Sequence, residues 1–369
     1  MSDFPNGTAS AIERTLECAA SVVLPQVRRA STSASSRGTV IHEYARAVLV
    51  GTARETALAA VPAEWRDTCA HLDFSKLGGD LSDVRCEMAY AYDVVARTAR
   101  ELGSNIGRDY GRFAITATEI PGSDDIEGMR IDGVPVALDI KTGFERVTAC
   151  SENAQIMFFA LVLMLRTGAD EVEGRIAYVR EDGSVSIDAH TFSRFDLETF
   201  ADALEDGHAS INAARRVFLA GGAPAVTEGS HCKYCASMSA CPAYVSLART
   251  MATDVDSIAG KLETLTDEQA GAAWAKAKAV ESLLERVLDA LKARARQSPL
   301  PTPGGKLVKA IPMKGRESFN HGAAIDMLRT KGASPEEIRG LYRIGEPGEQ
   351  VREVAAPKLL GAARKRTAA

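Results

Sequence analysis

Residues 125–143 read DIEGMRIDGVPVALDIKTG, and this stretch decides the interpretation of the fold. Its centre is Asp132-Gly133, a dipeptide that favours a tight turn when apolar segments flank it. Beyond the turn, an apolar segment runs from Val134 directly into Asp139 and Lys141. The pattern predicts a β-hairpin whose second strand carries two charged residues near its end.

Asp139 and Lys141 are two positions apart on this strand, so they project from the same face of the sheet. Asp125 lies on the preceding strand of the hairpin and can come near them. Phosphodiester hydrolysis needs such a set, because carboxylates bind a divalent metal that activates water, and a lysine stabilises the developing negative charge. An Asp-x-Lys pair alone is more often a surface salt bridge, so the surrounding pattern has to decide.

The rest of the chain reads as a succession of helices and strands. Small residues at 30–36 predict a mobile linker. Helices are predicted at 11–24, from Gly38 onward with Thr39 as the cap, at 152–167, at 196–220 and at 266–297, where Thr266 to Gln269 match a capping box. Further strands are predicted at 82–92 and 113–118, and a second hairpin at 175–187.

Three of the seven cysteines, Cys232, Cys235 and Cys241, fall within ten residues. Two intervening residues let both thiolates of a C-x-x-C bind one metal centre, and the third thiolate returns after five more. Three buried structural thiols are the plainer interpretation, although such clustering is unlike a core pattern. The spacing leaves zinc and iron–sulfur open, and candidates for a fourth ligand are Cys18, Cys69, Cys86, Cys150 and His231.

The 369 residues fit one large domain plus an accessory region. Residues from 291 onward carry 16 Lys or Arg and 7 Asp or Glu, whereas residues 1–290 carry 28 and 42. The local charges of +9 and −14 suggest that the basic tail meets a polyanion, and a solvated tail is the alternative.

Ile156–Leu165, the longest apolar run, is about half of a membrane span. The N-terminus shows no basic region followed by an apolar stretch, so no secretory signal is visible. We therefore expect a cytoplasmic protein without a membrane partner. In that reducing compartment its cysteines would be thiols or metal ligands.

Taken in chain order, the motifs resemble the RecB-like branch of the PD-(D/E)xK nucleases, and specifically its iron–sulfur group. That group includes CRISPR-associated exonucleases, the AddB nuclease domain and many phage-encoded relatives. Its members show a cysteine, a G-T-x-x-H helix, an acidic strand, a G-x-x-D strand, a D-x-K strand, a Q-x-x-x-Y helix and a three-cysteine cluster. The present chain has the same order: Cys18, residues 38–42 (GTVIH), Glu87, residues 122–125 (GSDD), residues 139–143 (DIKTG), Gln155, and Cys232, Cys235 and Cys241.

The resemblance implies a role for each of these residues. His42, Asp125 and Asp139 would bind the catalytic Mg²⁺ or Mn²⁺. Lys141 would serve the attacking water and the transition state, with Glu87 as a supporting acid and Gln155 positioning the active-site residues or the DNA strand.

The resemblance also assigns the cysteines. Cys18 would join Cys232, Cys235 and Cys241 in one [4Fe–4S] cluster, with Zn²⁺ as the alternative. Such a cluster would tie the start of the chain to the end of the nuclease core, because loop-closure entropy grows only slowly with loop length.

Two positions depart from the family pattern. Phe159 stands where the family has a tyrosine, so a hydroxyl is lost. Asp124 and Asp125 are adjacent, so the alignment can slip by one residue, and Asp125 is preferred.

We therefore expect an α/β fold with a PD-(D/E)xK nuclease core, in which helices flank a mixed central sheet, and with helical N-terminal and C-terminal additions. Residues 1–250 would form the nuclease domain, closed by the four-cysteine cluster, and residues 251–369 a mainly helical accessory region with the basic tail.

The expected function is a metal-dependent DNA nuclease, an exonuclease on DNA ends or single strands, in phage or bacterial replication, recombination or repair. DNA is the expected partner, and a recombination or replication protein is a further one. The alternative is an inactive nuclease-fold scaffold or DNA-binding protein with a structural metal cluster, which the complete Asp125, Asp139 and Lys141 set disfavours. A zinc-binding DNA module would leave that set unexplained.

Overall fold

Three β-sheets, of five, three and two strands, occur in the part of the chain that the structure describes. The computed structural model describes residues 4–26, 33–143, 147–229, 231–232, 235–244, 265–302, 307–309, 330–332 and 334. The strands are β1 (Ser82–Cys86), β2 (Met88–Asp93), β3 (Thr98–Ser104), β4 (Glu119–Ser123), β5 (Ile126–Met129), β6 (Pro135–Lys141), β7 (Glu171–Val179), β8 (Val185–Ser193), β9 (Leu300–Pro301) and β10 (Leu307–Val308). The helices are α1 (Ile12–Glu17), α2 (Ala20–Val23), α3 (Ser33–Leu49), α4 (Arg54–Ala59), α5 (Arg66–Ala70), α6 (Ala154–Thr167), α7 (Arg194–Leu219) and α8 (Asp267–Gln297).

The central sheet has the strand order β1-β5-β6-β7-β8. Its β5–β6 and β7–β8 pairs are the two hairpins predicted from the sequence, and both are antiparallel. The β6–β7 pair is parallel, since α6 forms the crossover between these strands. A mixed sheet flanked by helices is the expected fold class, which the structure confirms.

A second antiparallel sheet has the order β3-β2-β4. The sequence predicts one strand over 82–92, but the chain breaks at Glu87, whose φ is +51°. Before Glu87 it pairs with β5 in the central sheet, and after it with β3 and β4 in the second sheet. Glu87 therefore lies at the junction of the two sheets.

The two faces of the central sheet pack against different helices. Leu138 and Ile140 of β6 share a core with α3, α4 and α5, whereas Ala137 belongs to the core built around α6. Because side chains alternate along a strand, Asp139 and Lys141 lie on the α6 side. Apolar side chains of α6 such as Phe158 and Leu161 are fully buried, and each stabilises the fold by roughly 1.5–3 kcal/mol.

The linker predicted at 30–36 is wrong from Ser33 onward, because α3 begins there, and residues 30–32 lie outside the described residues. Thr39 is consequently inside α3 rather than its cap. Arg37 secures this end of the helix to the sheet: it donates to the Thr142 carbonyl at 2.6 Å and to the Val179 carbonyl at 3.5 Å.

The strand predicted at 113–118 is also wrong. That segment follows a short 3₁₀ helix and is irregular. Glu119 explains the difference, because its carboxylate accepts hydrogen bonds from the Thr116 backbone at 2.8 Å and from Arg100 at 2.6 Å and folds the segment back. The partners of β2 are β3 and β4 instead.

The predicted N-terminal helix is split into α1 and α2 by Cys18, which has extended backbone angles. The long C-terminal helix is confirmed as α8, and its capping box is formed between Thr266 and Gln269. Residues 1–312 form one compact unit and residues 313–369 a second. The functional division at residue 250 stays a prediction, and most of the basic tail lies outside the described residues. None of the described helices is both long and apolar enough to cross a membrane.

Candidate active site and cysteine pocket

The candidate catalytic residues come from five separate segments that converge beside β6. His42 is on α3, Glu87 lies between β1 and β2, and Asp125 lies between β4 and β5. Asp139 and Lys141 are on β6 itself, and Gln155 is on α6. A Cβ atom at Gly38 would lie 3.0 Å from the Thr142 hydroxyl, so a glycine there lets α3 approach the end of β6 closely.

His42, Glu87 and Asp125 form the first half of the site. The His42 Nδ1 atom lies 3.0 Å from Asp125 Oδ1 and 3.9 Å from Glu87 Oε1. The His42 Nε2 atom lies 3.1 Å from the Ile140 carbonyl oxygen. Asp125 is fixed from its other side, because its Oδ2 accepts the Ile140 backbone N–H at 2.6 Å.

Asp139, Lys141 and Gln155 form the second half. The Lys141 ammonium lies 2.7 Å from Asp139 Oδ2 and donates to Gln155 Oε1 at 3.2 Å. The Gln155 amide in turn donates to Asp139 Oδ1 at 2.9 Å. Gln155 therefore positions both charged residues of the D-x-K motif.

The sequence interpretation missed the residue that places Gln155. The Asn153 side chain caps α6 by accepting the backbone N–H groups of Gln155 and Ile156, each at 3.1 Å. An asparagine directly before a long apolar run is a typical helix-start signal and could have identified it.

Burial and mutual charge perturb the titration of this cluster. Burial of the imidazole opposes a proton, but the charge and hydrogen bond of Asp125 outweigh it and raise the pKa of His42 to about 9. Burial and the Asp125 carboxylate raise the pKa of Glu87. Burial also raises the pKa of Asp139, against the effect of Lys141. Such perturbed pKa values cluster at functional sites.

The first half of the site can hold a divalent ion. Donor atoms of His42, Glu87 and Asp125 all lie within 4.8 Å of one another. Octahedral ligands at about 2.1 Å from an ion are about 3.0 to 4.2 Å apart, so small side-chain shifts suffice. Asp139 is outside this set, and its buried Oδ2 is paired with the Lys141 ammonium at 2.7 Å. The donors present therefore fit a metal ion.

Comparison with protein families gives one match. The profile described as the PD-(D/E)XK nuclease superfamily matches residues 7–242. The chain belongs to this superfamily. Its members are metal-dependent nucleases, which agrees with the His42, Glu87 and Asp125 set and the adjoining Asp139–Lys141 pair.

Comparison with individual proteins adds no information about function. No curated protein matches the sequence significantly. One similar solved structure is described as "Crystal structure of SSO0001", with 16% identity, a TM-score of 0.27, and coverage of 56% of this chain and 85% of that chain. A likeness this distant carries no argument about function.

The structure places the two adjacent aspartates, Asp124 and Asp125, in different surroundings. Asp125 faces His42, whereas Asp124 points to a different cluster around Glu127. Phe159, the position that departs from the tyrosine pattern, is buried in the α6 core, so its ring is a packing residue.

A separate pocket gathers the four cysteines of the predicted cluster. Cys18, Cys232, Cys235 and Cys241 line one cavity together with His231. The His231 Nε2 atom lies 3.5 Å from the Cys232 sulfur. The other three cysteines, Cys69, Cys86 and Cys150, are buried free thiols elsewhere, and burial raises the pKa of each. The structure therefore separates the four pocket cysteines from the other three.

Proposed function

We propose that this protein is a metal-dependent deoxyribonuclease, an exonuclease acting on DNA ends or single strands in phage or bacterial replication, recombination or repair. One observation carries the proposal: a set of donors that fits a divalent ion lies directly beside a buried carboxylate–lysine pair. A decayed nuclease used as a scaffold would not need to retain every member of both halves.

His42, Glu87 and Asp125 would hold the ion, and Asp139 would complete the ligand set through its buried Oδ2. A bound Mg²⁺ or Mn²⁺ would polarise the phosphate and lower the pKa of an attacking water. An imidazole ligand suits Mn²⁺ better than Mg²⁺, which strongly prefers oxygen. The Ile140 carbonyl accepts from His42 Nε2 and keeps the proton on that atom, which leaves Nδ1 free as a ligand.

Lys141 remains charged in this setting, because the Asp139 carboxylate offsets its burial and raises the pKa of the ammonium. It can therefore orient water or stabilise a negatively charged transition state. Gln155 would hold Lys141 and Asp139 in register while that charge develops.

The test is degradation of 5′- and 3′-labelled single- and double-stranded DNA with Mn²⁺, Mg²⁺ or EDTA. We expect metal-dependent cleavage that Asp139→Ala or Lys141→Ala abolishes, whereas Asp132→Asn, at an exposed turn of the same hairpin, cuts as the parent does. The proposal fails if folded Asp139→Ala cleaves at the parental rate.

We further propose that Cys18, Cys232, Cys235 and Cys241 hold one [4Fe–4S] cluster with a structural role. Four thiolates are the ligand set of such a cluster. Zinc held by the same sulfur ligands is the alternative.

Anaerobically prepared protein should be brown and hold about four irons per chain. Cys18→Ser should bleach it and lower its stability, because metal affinity contributes directly to folding in such sites. Cys69→Ser is the matched control, since Cys69 is also buried but packs in a different core and does not line the pocket. One zinc and no iron would replace the cluster with a zinc site, and an unchanged iron content in Cys18→Ser would assign the fourth ligand elsewhere, with His231 first in line.

Residues 1–250 would then be the nuclease domain and residues 251–369 an accessory region. The charge of +9 after residue 290 is proposed to add salt-sensitive, nonspecific DNA affinity. Removing residues 253–369 should weaken DNA binding at low salt, and unchanged affinity would refute a role of the tail.

A further inference from the structure

Two arginines near the candidate metal site differ from many others in the chain in whether a carboxylate pairs with them. Arg85, Arg97, Arg100, Arg130, Arg166, Arg175 and Arg194 are each paired with a carboxylate. Arg46 and Arg108 both act electrostatically on Glu87, yet neither forms an ion pair or side-chain hydrogen bond with any residue that the structure describes. Their charges are therefore available to a ligand.

Arg108 lies in a turn that is fixed directly to the site. The Asn105 backbone N–H donates to the Glu87 carbonyl at 2.8 Å, and the Asp109 N–H closes the turn on the Ile106 carbonyl at 3.0 Å. Arg108 is exposed and has a φ of +60°, a left-handed conformation that is uncommon for arginine. Among the described residues, none pairs with the Arg108 side chain, so no internal contact accounts for an arginine at this position.

Arg46 lies on α3, the helix that also carries His42. It follows His42 by four residues on α3, so the two side chains lie on the same face of the helix. Arg46 is half-buried, and its charge acts on Glu87 and Cys86.

The surroundings make these two cations significant. Residues 1–290 carry a net charge of −14, and the site itself is built from carboxylates. Such a surface repels a polyanion, so a strand can approach only where local cations compensate. Arginine is suited to this, because its planar guanidinium binds phosphate through two parallel hydrogen bonds.

We propose that Arg108 and Arg46 are phosphate-binding residues that hold the DNA strand at the phosphates adjoining the one to be cleaved. This assignment rests on the proposed nuclease function and extends it to the path of the substrate. Backbone phosphate contacts position a strand without reading its sequence.

The experiment measures the binding of a fluorescein-labelled single-stranded DNA by anisotropy, in EDTA, over a series of salt concentrations. It compares the parent with Arg108→Gln, Arg46→Gln and the double variant. Arg112→Gln is the matched control, since Arg112 is four residues from Arg108 and instead stacks on Phe113. Each loss should weaken binding about tenfold, as for a hydrogen bond to a charged group, and should reduce the log–log salt slope by about 0.7.

Arg108→Asn separates binding from folding. Asparagine tolerates the left-handed conformation, so this variant should melt no lower than the parent while it loses the same affinity as Arg108→Gln. In steady-state cleavage, both Arg108 variants should raise KM and leave kcat nearly unchanged.

Binding by Arg108→Gln and Arg46→Gln that equals binding by Arg112→Gln would overturn the phosphate assignment while leaving the nuclease proposal intact. A fall in kcat without a rise in KM would also overturn it, because that would indicate a contact made only in the transition state. A parent protein that neither binds nor cuts DNA would overturn the nuclease function and this assignment together.

Discussion

Two buried clusters of acids lie side by side in this protein, and the four residues Asp124-Asp125-Ile126-Glu127 contribute to both. Asp125 faces His42 and Glu87 at the candidate metal site. Glu127 lies in the second cluster, where Tyr90 donates to it at 2.6 Å and Arg85 and Arg166 are 3.0 and 3.2 Å away. Asp124 and Asp125 lie between β4 and β5, at the point where the chain passes from the second sheet to the central one.

The two clusters differ in the partners that surround their carboxylates. Glu127 has a full set of donors within the fold, so nothing remains for a ligand. Asp125 has a partner too, but that partner is the His42 imidazole, which can give up its proton to bind a metal ion. Burial of acids therefore does not distinguish the two clusters, whereas the kind of partner does: two arginines hold Glu127, and an exchangeable imidazole faces Asp125.

Asp124 belongs to the second cluster by its electrostatics. Burial and the carboxylates of Glu127 and Asp125 raise the pKa of Asp124 well above its usual value. Its surroundings therefore favour the protonated form. This contrast supports the choice of Asp125 over Asp124 as the metal ligand.

The largest expected effect separates the two aspartates by activity. Asp125→Asn should lower DNA cleavage at least about a thousandfold, about 4 kcal/mol of transition-state stabilisation, because it removes an anionic metal ligand. Asp124→Asn should keep parental cleavage within a small factor. The comparison fails if the two variants, both folded by circular dichroism, lose activity equally.

The next effect is on stability and belongs to the second cluster. Glu127→Gln should lower the free energy of unfolding by about 3 kcal/mol, at the low end for a broken buried ion pair because Arg85 and Arg166 remain partly exposed. Denaturant titration would measure it. Glu101→Gln, which loses an exposed contact to Arg85, is the control and should change stability by less than about 1 kcal/mol. Equal losses would mean that Glu127 is not the centre of the network.

Metal addition should stabilise one cluster only. Mn²⁺ at 100 times its dissociation constant should stabilise the parent by about 2.7 kcal/mol and Asp125→Asn much less. Because the pKa of His42 is raised to about 9, a proton competes with the ion at neutral pH. Stabilisation by a fixed Mn²⁺ concentration should therefore grow from pH 7 towards pH 9. Thermal melts would contradict this if they showed no pH dependence, or the same gain in Asp125→Asn.

The last expected effect is the pH dependence that Asp124 imposes on stability. Its pKa is raised by folding, so above the unfolded value of about 3.9 the folded state keeps a proton that the unfolded state has released. The parent should lose up to about 1.4 kcal/mol per pH unit over this window, and Asp124→Asn should not. The melting temperature of Asp124→Asn should thus rise relative to the parent as the pH increases above about 4, and match it below pH 4. A constant difference would show that Asp124 is ionised in the fold.

Local sequence patterns predicted an element correctly where backbone hydrogen bonds within one helix or one hairpin decide its structure. The hairpin at Asp132-Gly133, the apolar helix α6 and the capped helix α8 all lie where turn chemistry and periodicity predict them. Errors occurred where a distant contact decided the outcome. Arg37 holds the start of α3 against the sheet, and Glu119 folds back the segment predicted as a strand at 113–118.

The sequence by itself determined the residue types of the site, their order along the chain and the same-face geometry of Asp139 and Lys141, because strand periodicity is local. Only the tertiary structure decided that Glu87 joins His42 and Asp125. Glu87 does so because the chain changes sheets at that residue, with a left-handed φ of +51°. No local pattern encodes that change. The pocket shared by Cys18 and the three later cysteines was likewise set by packing, since more than two hundred residues separate them in the chain.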